Sequence, residues 1–147
     1  MLLLLFETSD GRYALDSNEI VEIIPYLVSK KIPGAPPYVT GIINYRGEPV
    51  PLFDLCILSG GASCRHFYST RIILVQYPLD QENDRLIGLI AERATDVFKC
   101  KATDIGSSGI LLGKSSSPDA IKSDKNELVQ LYNVTRMISK DVVRGLF

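Results

Sequence analysis

The chain holds a single histidine, His66, and three cysteines, Cys56, Cys64 and Cys100, and these residues bound its chemistry. Cys64 and His66 stand close enough for a thiolate–imidazole nucleophile, but both lie in one flexible segment with no evident third group to orient the imidazole. A small β-barrel Cys/His hydrolase is the enzyme class these residues could serve. A zinc site takes four ligands, usually in pairs two to four residues apart, and neither C-x-x-C nor H-x-x-x-H occurs. No catalytic residue, metal or cofactor is therefore expected. An odd cysteine count does not make a disulfide framework and points to a reducing cytoplasm. The expectation is two buried or neutral thiols and a surface histidine.

Other motifs fall short of the chemistry they suggest. Ser108-Gly109-Ile110-Leu111-Leu112-Gly113-Lys114-Ser115 resembles a phosphate-binding loop, but Ser108 stands where that loop needs its first glycine. The run Ser115-Ser116-Ser117-Pro118 is also a poor helix start. Asp80, Glu82 and Asp104 sit in polar loops where solvation accounts for them, whereas general acid–base work needs a buried or coupled carboxylate. Asn133-Val134-Thr135 is a glycosylation sequon, which has meaning only in a secreted chain. Lys30-Lys31 and Lys99 with Lys101 are the nearest approach to basic runs, and no aromatics interleave them as in a single-strand binder. With 16 basic against 17 acidic side chains the net charge is −1, which argues against a nucleic-acid-binding barrel. At 46% apolar residues the chain can bury a core, yet no apolar run reaches the length of about 18 that spans a bilayer.

The elements that would position any site are mostly short strands. Residues 2–7 form an apolar strand, Ser9-Asp10-Gly11 a turn, and residues 12–15 the returning strand. Asp16-Ser17-Asn18-Glu19 could open a helical turn capped at Asp16 or Ser17. Residues 20–24 are β-branched, and alternation places Ile20, Glu22 and Ile24 on one face with Val21 and Ile23 on the other. Pro25 ends that strand. Pro33, Pro36 and Pro37 stiffen a loop. Strands at 38–44 and 50–55 then flank Tyr45-Arg46-Gly47-Glu48, a tight hairpin in which Gly47 can take positive φ. A second pair is expected at 71–77 and 86–92, joined by a charged loop at 78–85, followed by a strand at 127–132 and a short helix over 134–143.

An internal echo organises these elements. Residues 13–24 lie without gaps over residues 87–98, and residues 2–5 match residues 72–75. Each copy reads as strand, turn, strand, polar turn and acidic-plus-apolar strand, as duplication of a small β unit would produce.

Two stretches carry side chains that are costly unless used. The 42–51 hairpin presents Asn44, Tyr45, Arg46 and Gly47 at its tip, and Tyr and Arg are enriched at the energetic centres of interfaces. Ile20 and Glu22 share a strand face, and a carboxylate among isoleucines must meet water, a cation or a partner.

The block Pro33-Gly34-Ala35-Pro36-Pro37-Tyr38-Val39-Thr40-Gly41-Ile42-Ile43-Asn44-Tyr45-Arg46-Gly47-Glu48-Pro49-Val50-Pro51-Leu52-Phe53-Asp54-Leu55 resembles the signature of the CheW-like family of chemotaxis coupling proteins. Tyr13-Ala14-Leu15-Asp16 and Val21-Glu22-Ile23 upstream, and Leu86 to Ala91 with Thr95-Asp96-Val97 downstream, fall in the family's order over residues 2–139. The resemblance implies a mainly all-β fold of two intertwined five-stranded β-barrel subdomains with short helical segments and a short C-terminal helix. It implies one CheW-like domain over 1–147, the first subdomain mostly about 12–70, the second mostly about 71–135, with terminal segments exchanged. It further implies a non-catalytic, cytoplasmic adaptor at receptor arrays on the inner membrane face. Such an adaptor would join the cytoplasmic tips of chemoreceptors to the regulatory domain of a CheA-type histidine kinase, with no nucleic acid and no cofactor. Ile20, Glu22, Asn44, Tyr45, Arg46 and Gly47 then become the partner-binding candidates, with Arg46 and Glu22 able to approach each other. The compact form, with Ser69-Thr70-Arg71-Ile72-Ile73-Leu74-Val75, looks like couplers of surface-sensing (Wsp-type) or pilus-type pathways.

Overall fold

The computed structural model describes residues 2–8, 11–80, 83–99, 120–122 and 128–147. The predicted turn at Ser9-Asp10, the phosphate-loop look-alike at 108–115, Glu82, Asp104 and Cys100 lie outside these residues. The described chain is built mainly of strands with a few short helical segments. Strands β1 (Leu2–Thr8), β2 (Gly11–Asp16) and β3 (Ile20–Pro25) come first. The hairpin β4 (Val39–Tyr45) and β5 (Glu48–Asp54) comes next, then β6 (Arg71–Pro78) and the long β7 (Asp84–Lys99). The described chain closes with β8 (Ala120–Lys122), β9 (Leu128–Leu131) and the helices α2 (Val134–Met137) and α3 (Lys140–Gly145). A one-turn helix, α1 (Leu55–Leu58), leaves the end of β5.

Local signals explain several boundaries. The Asp16 carboxylate accepts from Asn18 N–H and caps the 3-10 turn Ser17–Glu19, satisfying a donor that the turn leaves open. The β3 alternation is as expected: Ile20, Glu22 and Ile24 are half-buried, and Val21 and Ile23 face outward. The β4–β5 turn is a two-residue loop in which Arg46 (φ 50) and Gly47 (φ 85) both take left-handed backbone. That is the primed geometry matching the twist of antiparallel strands.

Strand pairing interlocks the two echoed segments. β3 runs antiparallel to β6, with Ile23 opposite Ile73, while the end of β7 runs antiparallel to β1, with Phe98 opposite Leu3. The third strand of each copy thus pairs with the first strand of the other. β6 and β7 form a continuous ladder from Arg71–Ala91 to Pro78–Asp84, and β5 joins β7 in parallel at Leu52–Gly88. β2 pairs in parallel with β9 through Tyr13–Gln130. One core gathers Phe6, Tyr13, Leu15, Phe53, Ile73, Tyr77, Leu89 and Tyr132. Another gathers Ile43, Val50, Leu52, Ile72, Leu74 and Ile90 beside Cys56 and Cys64.

Three local expectations are corrected by the structure. The polar turn expected after residue 92 does not interrupt the chain. Arg93 adopts φ 49, and the ladder to β1 resumes from Glu92–Glu7 at Asp96–Leu5, so the turn becomes a bulge within β7. The helix expected over residues 134–143 is two helices, because Ile138 is buried in extended backbone with its carbonyl accepting from Tyr77 Oη at 2.5 Å. Ser139 then caps α3. The long 78–85 loop is shorter, since Pro78 and Asp84 are already paired.

Candidate functional site

The hairpin tip meets β3. Tyr45 Oη donates to the Glu22 carboxylate, and Arg46 Nη2 lies 3.4 Å from the same Glu22 Oε2. The Arg46 guanidinium stands 5.2 Å from the centre of the Tyr45 ring. Asn44 Oδ1 accepts from Gly47 N–H at 2.8 Å and so closes the turn from within. Each sequence feature has a task here. Gly47 supplies the left-handed conformation, Asn44 ties the loop, and β-alternation aims Glu22 inward from β3. Tyr45 also packs against the core of Ile43, Val50 and Leu52. Arg46 remains 77% exposed and Glu22 38%. The pair is therefore largely solvated and contributes little to folding. Donation to Glu22 favours the neutral phenol and, with burial and the Glu22 charge, pushes Tyr45 above its ordinary 10.0, against the lowering effect of Arg46.

On another side of the tip, Asn44 and Gly47 border a cleft of about 610 Å³ lined also by Lys30, Lys31, Ile32, Pro33, Ile42, Ile43 and Pro49. Lys30 approaches β4 closely, exchanging hydrogen bonds with Ile42 at 2.9 and 2.8 Å. This approach requires glycine at Gly41, where a Cβ would collide with the Lys30 carbonyl. Of the six candidate residues, the structure brings Glu22, Asn44, Tyr45, Arg46 and Gly47 together. Ile20 stands apart: it packs on the Phe6–Tyr13 core and borders a different cavity, with Val75, Asp84 and Asn133.

The cysteine–histidine arrangement differs from the expectation of two independent thiols. Cys56 and Cys64 are joined as a disulfide pair with Cα atoms 5.3 Å apart, both buried. α1 and the turn at Gly60, absent from the sequence reading, bring them together. His66 stacks on Tyr26, ring centres 4.0 Å apart. Cys64 is thus engaged with Cys56 and not with His66. Asp54, Cys56 and Cys64 form a cluster of potential metal ligands among the described residues. The Asp54 carboxylate, however, already accepts from Cys56 N–H (2.9 Å), Ile57 N–H (3.2 Å) and Cys64 N–H (3.0 Å), which is the work of a cap. Burial pushes Asp54 above its ordinary 3.8, against the three backbone hydrogen bonds.

The CheW-like domain family model matches residues 2–142. The chain belongs to the CheW-like domain family. Relatives include the chemotaxis protein CheW of Helicobacter pylori, 28% identical over 137 residues, covering 92% of this chain and 80% of that protein. The chemotaxis protein CheW of Bacillus subtilis is 25% identical over 141 residues, covering 95% and 87%. In fold, the chain is similar to the scaffolding protein TtCheW of Thermoanaerobacter tengcongensis, with a TM-score of 0.77 and 21% identity, covering 94% and 87%. As a CheW-like protein the chain is a coupling scaffold of chemotaxis signalling. Among the described residues no helix is long and apolar enough to cross a membrane.

Proposed function

We propose that the chain couples the cytoplasmic tips of chemoreceptors to the regulatory domain of a CheA-type histidine kinase, without catalysis of its own, in the cytoplasm at the inner membrane face. Its contacts run through Arg46 and the tip that surrounds it. The observation that carries this reading is the Glu22–Tyr45–Arg46 cluster. A largely exposed arginine is held over an aromatic ring on a rigid two-residue turn, with a carboxylate fixing its direction. Such a preset guanidinium loses little freedom on binding. Asn44 and Gly47 extend the contact into the cleft beside Lys30, Glu22 extends it onto β3, and Ile20 offers a separate contact at the cavity it borders. In the same reading the chain is one functional domain of two interlocked units, about residues 12–70 and 71–135, with exchanged end segments. The reciprocal pairing of β3 with β6 and of β7 with β1 supports that division.

The direct test is co-sedimentation of the chain with the cognate kinase regulatory domain and a receptor-tip fragment, singly and together. Binding to each is expected. Failure to bind either removes the coupling role.

A further inference from the structure

The pocket around Cys56 and Cys64 is fitted to two oxidation states. We propose that this pair is a reversible thiol–disulfide site that exchanges with small disulfides of the glutathione class. The Cα separation of 5.3 Å lies within the span of an unstrained disulfide, so the oxidised pair needs no backbone movement. The same pocket also provides an acceptor for each thiol. Glu92 Oε2 lies 3.6 Å from Cys56 Sγ, and the Ile90 carbonyl oxygen lies 3.4 Å from Cys64 Sγ. A thiol S–H donates to these oxygens, whereas a disulfide has no proton to donate. A disulfide serving only as a staple draws no benefit from such acceptors, and the reduced pair is satisfied by them.

The surroundings decide where exchange begins. Glu92 and Asp54 are both buried near the sulfurs, and their negative charge disfavours a thiolate. Both cysteines are buried, Cys56 at 0% and Cys64 at 4% exposure, but Cys64 comes directly after the exposed Gly60, Gly61, Ala62 and Ser63, so opening of that short stretch admits solvent and glutathione to Cys64 first. In oxidation Cys64 gives its proton to solvent, and its thiolate attacks one sulfur of glutathione disulfide, expelling a glutathione thiolate. Cys56, deprotonated in turn, attacks Cys64 Sγ, forms the S–S bond and expels the second glutathione thiolate. Two protein thiols lose two electrons and two protons, and one glutathione disulfide becomes two glutathiones.

The pair shares its Glu92 acceptor with a surface loop. Glu92 accepts from Arg65 N–H at 3.1 Å and Arg65 Nε at 3.3 Å, so the carboxylate that serves the reduced Cys56 also holds the start of the next loop. That loop places Phe67 against the Arg65 guanidinium, 4.9 Å from its ring centre. Oxidation ties the loop to α1 and frees Glu92 to serve Arg65 alone.

The test uses the natural full-length chain. It is equilibrated in glutathione buffers stepped from reduced to oxidised, quenched with acid, alkylated and digested with trypsin. Residues 47–65 form one tryptic peptide holding Cys56 and Cys64 but not Cys100. The doubly alkylated peptide and a peptide two hydrogens lighter than the dithiol, unalkylated, should coexist at intermediate ratios and interconvert when the ratio is reversed. A single form at every ratio overturns the proposal, as does a glutathione adduct as the end product. Glu92→Leu should shift the midpoint towards the disulfide by about three- to tenfold, the worth of one hydrogen bond. Glu92→Gln, which keeps an acceptor oxygen, should titrate like the natural chain. Equal midpoints for all three would remove Glu92 from the mechanism.

Discussion

Asp54 offers the sharpest test of how the signature strand supports the fold. Its carboxylate caps α1 through two N–H groups and holds Cys64 N–H, ten residues on, with the third. In Asp54→Ala the lost cap costs about 1 kcal/mol. Leaving the buried Cys64 N–H without its acceptor adds about 1–3 kcal/mol. Relief of burying a carboxylate works the other way, so the net loss should be about 2–3 kcal/mol. Unfolding entropy of about 2.1 cal/mol/K per residue makes each kcal/mol worth about 3 °C in a chain of this length. The melting temperature should therefore fall by about 6–10 °C, with a parallel drop in the urea midpoint. Asp54→Asn keeps one oxygen for α1 and should fall roughly halfway. Stability of Asp54→Ala within about 0.5 kcal/mol of the natural chain, the range of an ordinary surface change, would refute the cap.

The same contacts make other outcomes measurable. Because burial raises the Asp54 carboxyl in the folded state, the folded chain holds that proton more tightly than the unfolded chain. Asp54 then favours folding most below its ordinary 3.8, and this is lost as pH rises through the raised value. The urea-midpoint difference between the natural chain and Asp54→Asn should accordingly shift against the natural chain across that window; a flat difference would contradict it. Tyr45 should ionise above its ordinary 10.0 by phenolate absorbance, using Tyr45→Phe to assign the signal, and Glu22→Gln should bring it back down. Gly41→Ala should destabilise by about 1–3 kcal/mol through overpacking against the Lys30 backbone, measured by urea unfolding; a neutral result would mean that the Lys30–Ile42 bridge is not retained in solution.

Much of this arrangement was legible in local chemistry. A cap at Asp16 or Ser17, the two faces of residues 20–24 and the Tyr45-Arg46-Gly47-Glu48 turn depend on residues within a few positions of one another; the structure selects Asp16 for the first and agrees with the other two. The approach of Arg46 to Glu22 was open to expectation because family resemblance aligned both stretches, whereas the hydrogen bond from Tyr45 to Glu22 was not foreseen. Distant partners set the features that sequence pattern hid. β7 passes through its polar segment because β1 is there to receive it beyond Arg93. The last helix breaks because Ile138 is held by Tyr77. α1 lay inside an apolar run that reads equally as strand, and Asp54 was the signal that could have revealed it. Cys56 and Cys64 meet only because α1 and the Gly60 turn fold the chain back.

The proposed coupling role makes Arg46 a partner contact rather than a structural brace. Calorimetric titration of Arg46→Glu against the kinase regulatory domain and the receptor tip separates these two possibilities. Because the Arg46–Glu22 pair is solvent-exposed, the variant should unfold within about 1 kcal/mol of the natural chain. It should nonetheless bind at least one partner about tenfold or more weakly, a change of about 1.4 kcal/mol. Unchanged affinity for both partners would contradict the role given to Arg46.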